Sequence, residues 1–200
     1  MSGRCTASAT AIHIGTIVLA GCAIYANSLH VPFVFDDETH IVKNRFVRLE
    51  RVELRGLVDA AFRSPASNRP LANISFALNH AVGRDEVSGY HIVNVAVHLI
   101  NGVLVYLLAK ITFGLCLAQT PTARGCDHIA LMSLGSALIF VAHPLQTQSV
   151  TYVVQRMNSL AALFTLLALL LYVRGRLRPA GRHLVWAVAL TSWILALGCK

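Results

Sequence analysis

The apolar residues of this chain arrive in blocks too long for the core of a water-soluble domain. The first runs from about Ala9 to Leu29, close to the ~20 residues a helix needs to cross the hydrocarbon of a bilayer. A second starts near His91 and continues to about Ala109, with more apolar residues after Lys110. A third, short one lies within 129–142, a fourth covers about 157–173 and a fifth about 184–199. With 56% hydrophobic and only 13% charged residues, the chain has about half the charge of an ordinary soluble domain. These blocks predict an all-α, multi-pass membrane helical bundle of about five spans.

Charge placement says more than the net charge of +8. The stretch 36–86 holds nearly all the acids, Asp36, Asp37, Glu38, Glu50, Glu53, Asp59, Asp85 and Glu86, and is balanced by as many bases. The excess positive charge flanks the apolar blocks, as in "RGRLRPAGR" at 174–182. It therefore reads as a topology signal and not as a nucleic-acid footprint. Placing the Arg174, Arg176, Arg178 and Arg182 loop in the cytoplasm also puts Arg124 and Arg4 there. Residues 30–89 and the 143–156 turn then face the other side. The five cysteines are scattered and odd in number, so they carry no disulfide framework or zinc motif. "LAGC" at 19–22 matches a bacterial lipobox, but apolar character continues through "AIYANSL", which favours an uncleaved span.

The outer loop has its own pattern. "VELRGLVDAAFR" (52–63) sets Val52, Leu54, Leu57, Val58, Ala61 and Phe62 on one side at helical spacing. "RPLANISFALNHAV" (69–82) does the same with Leu71, Ile74, Leu78, Ala81 and Val82, and Pro70 suits a first helical turn. Both read as amphipathic helices lying in the membrane interface. The Asn73 sequon falls inside the second of them and carries little weight as a glycosylation site.

Two groups of polar residues need a reason to be near a membrane. His91, Asn94, His98 and Asn101 share one stripe of the second span, a costly arrangement that points to a bundle interior, a partner or a wet cavity. For the deeper His98 and Asn101, interhelical hydrogen bonding is the simpler account. His91 and Asn94, beside the acidic loop, are candidates for binding substrate. The other group is "FVFDDETH" at 33–40, where two phenylalanines tie three acids to the membrane surface. Three readings stand: a solvated loop, a metal site from Asp36, Asp37, Glu38 and His40, or a general base held where a lipid-borne substrate meets a polar acceptor.

The stretch "FDDETHIVKN" resembles the Asp-Asp-x-x-x-Ile-x-x-Asn signature in the first outer loop of GT-C membrane glycosyltransferases. "NRPLANISFALNHAVG", "GYHIVNVAVHLINGVLVYLL" and "HPLQTQSVTYVVQRMNSLAALFTLLALLLY" are similar to the same group, and most of all to its tetratricopeptide-repeat-bearing branch, which includes the animal O-mannosyltransferases. The resemblance covers about residue 30 to the end. It implies that 1–200 is the N-terminal part of a transferase domain, with a first span over 1–29, an outer catalytic loop over 30–89, the remaining spans over 90–200, and a repeat domain beyond. It further implies a sugar, mannose in the animal members, carried on polyprenyl or dolichyl phosphate to a hydroxyl acceptor on a protein or other molecule, outside the cytoplasm. Asp36 takes the catalytic-base position, with Asp37 beside it to position and tune it. Arg69 and Arg156 are the expected partners of the lipid phosphate, and His91, Asn94, His143 and Gln148 complete the expected binding set. Gln148 stands where family members often have Glu, so a second carboxylate is missing from that position. The resemblance implies no metal with certainty. The rival readings are a non-catalytic membrane anchor for an interaction domain, and a transporter subunit suggested by the polar stripe.

Overall fold

In the computed structural model, residues 7–117, 126–177 and 181–200 are described; Arg4, Arg124 and Arg178, on which part of the orientation argument rests, lie outside them. The described residues are helical, without strands. In chain order come α1 (Ala7–Tyr25), α2 (Leu54–Arg63), α3 (Pro70–Gly83), α4 (Val87–Leu117), α5 (Cys126–Ala142), α6 (Gln146–Thr151), α7 (Arg156–Leu177) and α8 (Arg182–Leu197). Short 3₁₀ turns at Ala26–His30 and Val153–Gln155 and a π turn at Glu38–Val42 link them.

Three segments are long and apolar enough to cross a membrane: Ser8–His30, Val87–Leu117 and Val153–Leu177. A fourth crossing results if α5 and α6, bent by 63° at Pro144, count as one span. The fifth expected span, α8, has 16 residues, a length of about 24 Å against the ~30 Å hydrocarbon thickness. The estimate of about five spans is thus approximate. α8 runs back along α7 and ends beside the outer loop, where the Leu71 N–H donates to Gly198 O at 3.1 Å.

Side-chain hydrogen bonds tie the helix ends together at this same face. Tyr25 Oη donates to Val141 O at 3.1 Å, His91 Nε2 meets Val31 O at 2.8 Å, and Asn94 Nδ2 donates to Val150 O at 3.2 Å. The polar stripe of α4 is therefore what gathers the bundle. All four of its members are buried, and the deeper two also end on backbone carbonyls: His98 on Val141 O and Asn101 on Ser159 O. Each such bond gives a partner to a polar side chain that would be costly to leave unpaired at membrane depth.

α1, α4 and α5 cross closely around Ile17, Leu99, Tyr106, Ala137 and Val141. Glycine permits this approach: a Cβ at Gly102 would lie 2.5 Å from Val141 Cγ2, and one at Gly21 would lie 2.2 Å from Leu99 Cδ2. Val141 is β-branched and cannot swing aside. Gly102→Leu is expected to destabilise the full-length protein by about 1–3 kcal/mol, read as a lowered midpoint of thermal unfolding in detergent. Gly15→Leu on α1, where nothing lies within 4 Å, serves as control; equal losses in the two would rule out the close-crossing account.

The two outer-loop helices form as the spacing predicts. Their orientation is a finding of its own. α3 buries Ala72, Asn73, Phe76, Ala77 and His80, whereas Leu78 and Val82, from the stripe read as its apolar face, are exposed. α2 likewise buries Ala60 and Ala61 and leaves Leu54, Val58 and Phe62 outward. Apart from Phe76, the residues that face the protein are small or polar, while Leu54, Val58, Phe62, Leu78 and Val82 face away, as suits an apolar surrounding. Asn73 is fully buried with its amide donating to Ala66 O, so its sequon is not presented for modification.

Candidate active site

The loop leading to the acidic cluster turns sharply at Phe35. Its φ of 48° is unusual for a bulky side chain, the kind of local strain that persists only where the surroundings impose it. The Asp37 N–H closes the turn on Val34 O at 3.0 Å. The turn sends the two neighbouring aspartates in opposite directions.

Asp37 goes inward and is completely buried. Its Oδ1 accepts the Val154 N–H at 2.7 Å and its Oδ2 the Val34 N–H at 3.1 Å. Burial pushes the carboxyl above the usual carboxylate range, and the backbone N–H groups of Val34, Val154 and Val153 pull it partly back. Asp36 stays exposed, with its own N–H donating to Tyr152 Oη at 2.9 Å. Phe33 turns its ring edge to Tyr90, and Phe35 is 86% exposed. Glu38 pairs with Lys43 on the surface, which holds its carboxyl below the usual value.

Asp36 opens onto a cavity of about 430 Å³. Its polar lining is Asp36, His40, Asn68, Arg69, Gln155 and Asn158, with Pro65, Ala66, Val154 and Met157 between them. Asp36 and Arg69, 33 positions apart in the outer loop, thus reach one space. Arg69, at the start of α3, also donates to Met157 Sδ at 3.3 Å. Gln155 and Asn158 are hydrogen-bonded to each other across the first turn of α7.

The remaining expected binding residues lie elsewhere. His91 and Asn94 are fully buried in contacts between helices. Arg156 is fully buried too: Nε donates to Asn94 Oδ1 at 2.7 Å, and Nη2 donates to Asn79 Oδ1 and Tyr90 O, both at 2.9 Å. His143 and Gln148 are exposed around α6, where His143 Nδ1 accepts the Leu145 N–H, and neither lines the cavity. Asn68, Gln155 and Asn158 were missed by the sequence reading, and His40 entered it only as a metal ligand. The available signal was three uncharged amides beside the arginines in "SNRP" and "VVQRMN". Among the described residues no group of three or more His, Cys, Asp or Glu side chains is placed to hold a metal ion.

Protein O-mannosyl-transferase Tmtc1 of Drosophila melanogaster is 33% identical over 98% of this chain and 22% of its own length. Human protein O-mannosyl-transferase TMTC2 is 31% identical over 90% of this chain, and human protein O-mannosyl-transferase TMTC3 is 29% identical over 94%. This chain is a homologue of the protein O-mannosyl-transferases. It matches the branch that the four motifs resemble, and it spans about a fifth of the length of these curated relatives. No family model matches the chain, and no solved structure matches it significantly.

Proposed function

We propose that this chain carries the first-loop active site of a membrane glycosyltransferase, one that moves mannose from a polyprenyl-phosphate donor to a protein hydroxyl on the non-cytoplasmic side. The observation that carries the reading is the shared cavity of Asp36 and Arg69, at the face where the apolar helices end. The names of the relatives support the sugar and a protein acceptor.

The chemistry is a single displacement. Asp36 takes the proton of the acceptor hydroxyl as its oxygen attacks the anomeric carbon. The bond from that carbon to the phosphate oxygen breaks with inversion, and the electron pair leaves on the lipid phosphate. Arg69 stabilises the charge that develops there, through the planar donor fork that suits phosphate. The amides of Asn68, Gln155 and Asn158 offer donors and acceptors of the kind that sugar hydroxyls need.

The test is direct. Purified full-length protein, assayed with and without added divalent ion, should transfer labelled mannose to a Ser/Thr acceptor peptide from polyprenyl-phosphate mannose and not from a nucleotide sugar. In sealed, oriented vesicles the peptide should be modified only on the non-cytoplasmic side. Transfer from the nucleotide sugar, or on the cytoplasmic side, would overturn the proposal.

A further inference from the structure

The wall of the Asp36 cavity is held by two buried charged groups that the displacement itself does not use. Val154, Gln155, Met157 and Asn158 form one side of the cavity. Asp37 grips the start of this segment from the loop that bears Asp36, with one carboxylate accepting N–H groups from both Val34 and Val154. Arg156 grips its middle. Its guanidinium donates to Asn94 and Tyr90 of α4 and to Asn79 and the Ser75 carbonyl of α3, and lies 4.8 Å from the Phe76 ring centre. No carboxylate forms an ion pair with it among the described residues. A buried guanidinium cannot shed its charge, so it is stable only where carbonyl and amide oxygens meet its donors, as they do here. Such a group has no fork left to offer a phosphate.

We infer that Asp37 and Arg156 are positioning residues, which fix the 153–158 turn as the rigid wall facing Asp36 and Arg69 and touch neither donor nor acceptor. Arg69 is then the guanidinium that meets the lipid phosphate. The kinetic part of this inference rests on the transferase reading. Its structural part does not.

The experiment uses the full-length protein in detergent, with Asp37→Asn, Arg156→Met and Arg156→Lys compared with Arg69→Met. Asp37→Asn places an amide donor against one of two N–H donors. Arg156→Lys cannot rescue, because a single ammonium does not reproduce the planar fork. With polyprenyl-phosphate mannose and an acceptor peptide, these three variants should lose about 10–100-fold in kcat, the scale of a small misplacement, with donor KM within about twofold. Arg69→Met should instead raise donor KM by about 10–100-fold through loss of a charged contact. A donor KM that rises in Arg156→Met as it does in Arg69→Met overturns the inference.

A second readout needs no turnover. A cysteine placed at Gln155 should react with a membrane-impermeant maleimide about tenfold faster in the Asp37→Asn and Arg156→Met backgrounds, as the wall opens locally, and at an unchanged rate with Arg69→Met. Equal rates in all backgrounds overturn the inference. If the wild-type protein itself transfers nothing, the transferase reading fails alone and the labelling still decides this one. Should Arg156→Met fail to fold, Asn79→Ala removes a single acceptor of the guanidinium and carries the same two readouts.

Discussion

Asp36→Asn is expected to lower sugar transfer by about 10²–10⁴-fold in the full-length protein while donor KM changes little. The substitution keeps the size of the side chain and its capacity to accept hydrogen bonds, and it leaves the Asp36 backbone bond to Tyr152 Oη in place. What it removes is the ability to take a proton from the acceptor hydroxyl. Because Asp36 is exposed at the cavity and Asp37 is buried in backbone contacts, the two neighbours should fail differently. Asp36→Asn should leave thermal stability unchanged, whereas Asp37→Asn should lower stability along with rate. Glu38→Gln, which breaks only a surface pair with Lys43, is the control and should retain nearly full transfer. Steady-state kinetics with a thermal unfolding curve for each variant checks all three. Equal modest losses across the three acids would mean a general electrostatic effect, and full transfer by Asp36→Asn would remove the base assignment.

Asn94→Leu is expected to be the most destabilising single change in the polar stripe, at about 3–5 kcal/mol. Its Nδ2 donates to Val150 O and Val153 O at 3.2 and 3.3 Å, and its Oδ1 accepts from Arg156 Nε at 2.7 Å. Leucine fills the volume but removes the side-chain donor from the buried Val150 carbonyl and the acceptor from one buried guanidinium N–H, while Val153 O keeps the Arg156 backbone N–H. Asn101→Leu gives the comparison. That side chain donates to Ser159 O alone and should cost about 0.6–1.7 kcal/mol, the range of single interhelical bonds in membranes. Thermal unfolding of both proteins in the same detergent measures the difference. If Asn94→Leu costs no more than Asn101→Leu, Asn94 is ordinary interhelical glue and not the hub drawn by its contacts.

Much of the helical architecture was legible because it follows from local rules. Apolar runs of span length, helical spacing in 52–63 and 69–82, and the turn over 143–156 each depend on a few neighbouring residues, and each appears close to where it was read. The stripe His91, Asn94, His98, Asn101 was visible for the same reason, and its burial follows from the cost of leaving polar groups at membrane depth. Which face of α3 turns inward was less legible. Asn73 and His80 find carbonyl partners at Ala66 and Leu49, which lets these two polar groups be buried beside Ala72, Phe76 and Ala77.

The sequence by itself determined the helices, their amphipathic faces and the placing of an acidic pair at the mouth of the bundle. The tertiary structure decided what the members of that pair do. Asp36 and Asp37 are chemically identical neighbours, and only the strained turn at Phe35 and the arrival of Val154 from 117 positions away send one to the cavity and the other to the core. Arg156 shows the same division. As a residue type it fits a phosphate, but four oxygens from α3 and α4 occupy its donors first. Contacts between distant segments depend on how the whole bundle closes, so no local pattern could have distinguished the arginine that lines the cavity from the one that is buried behind it.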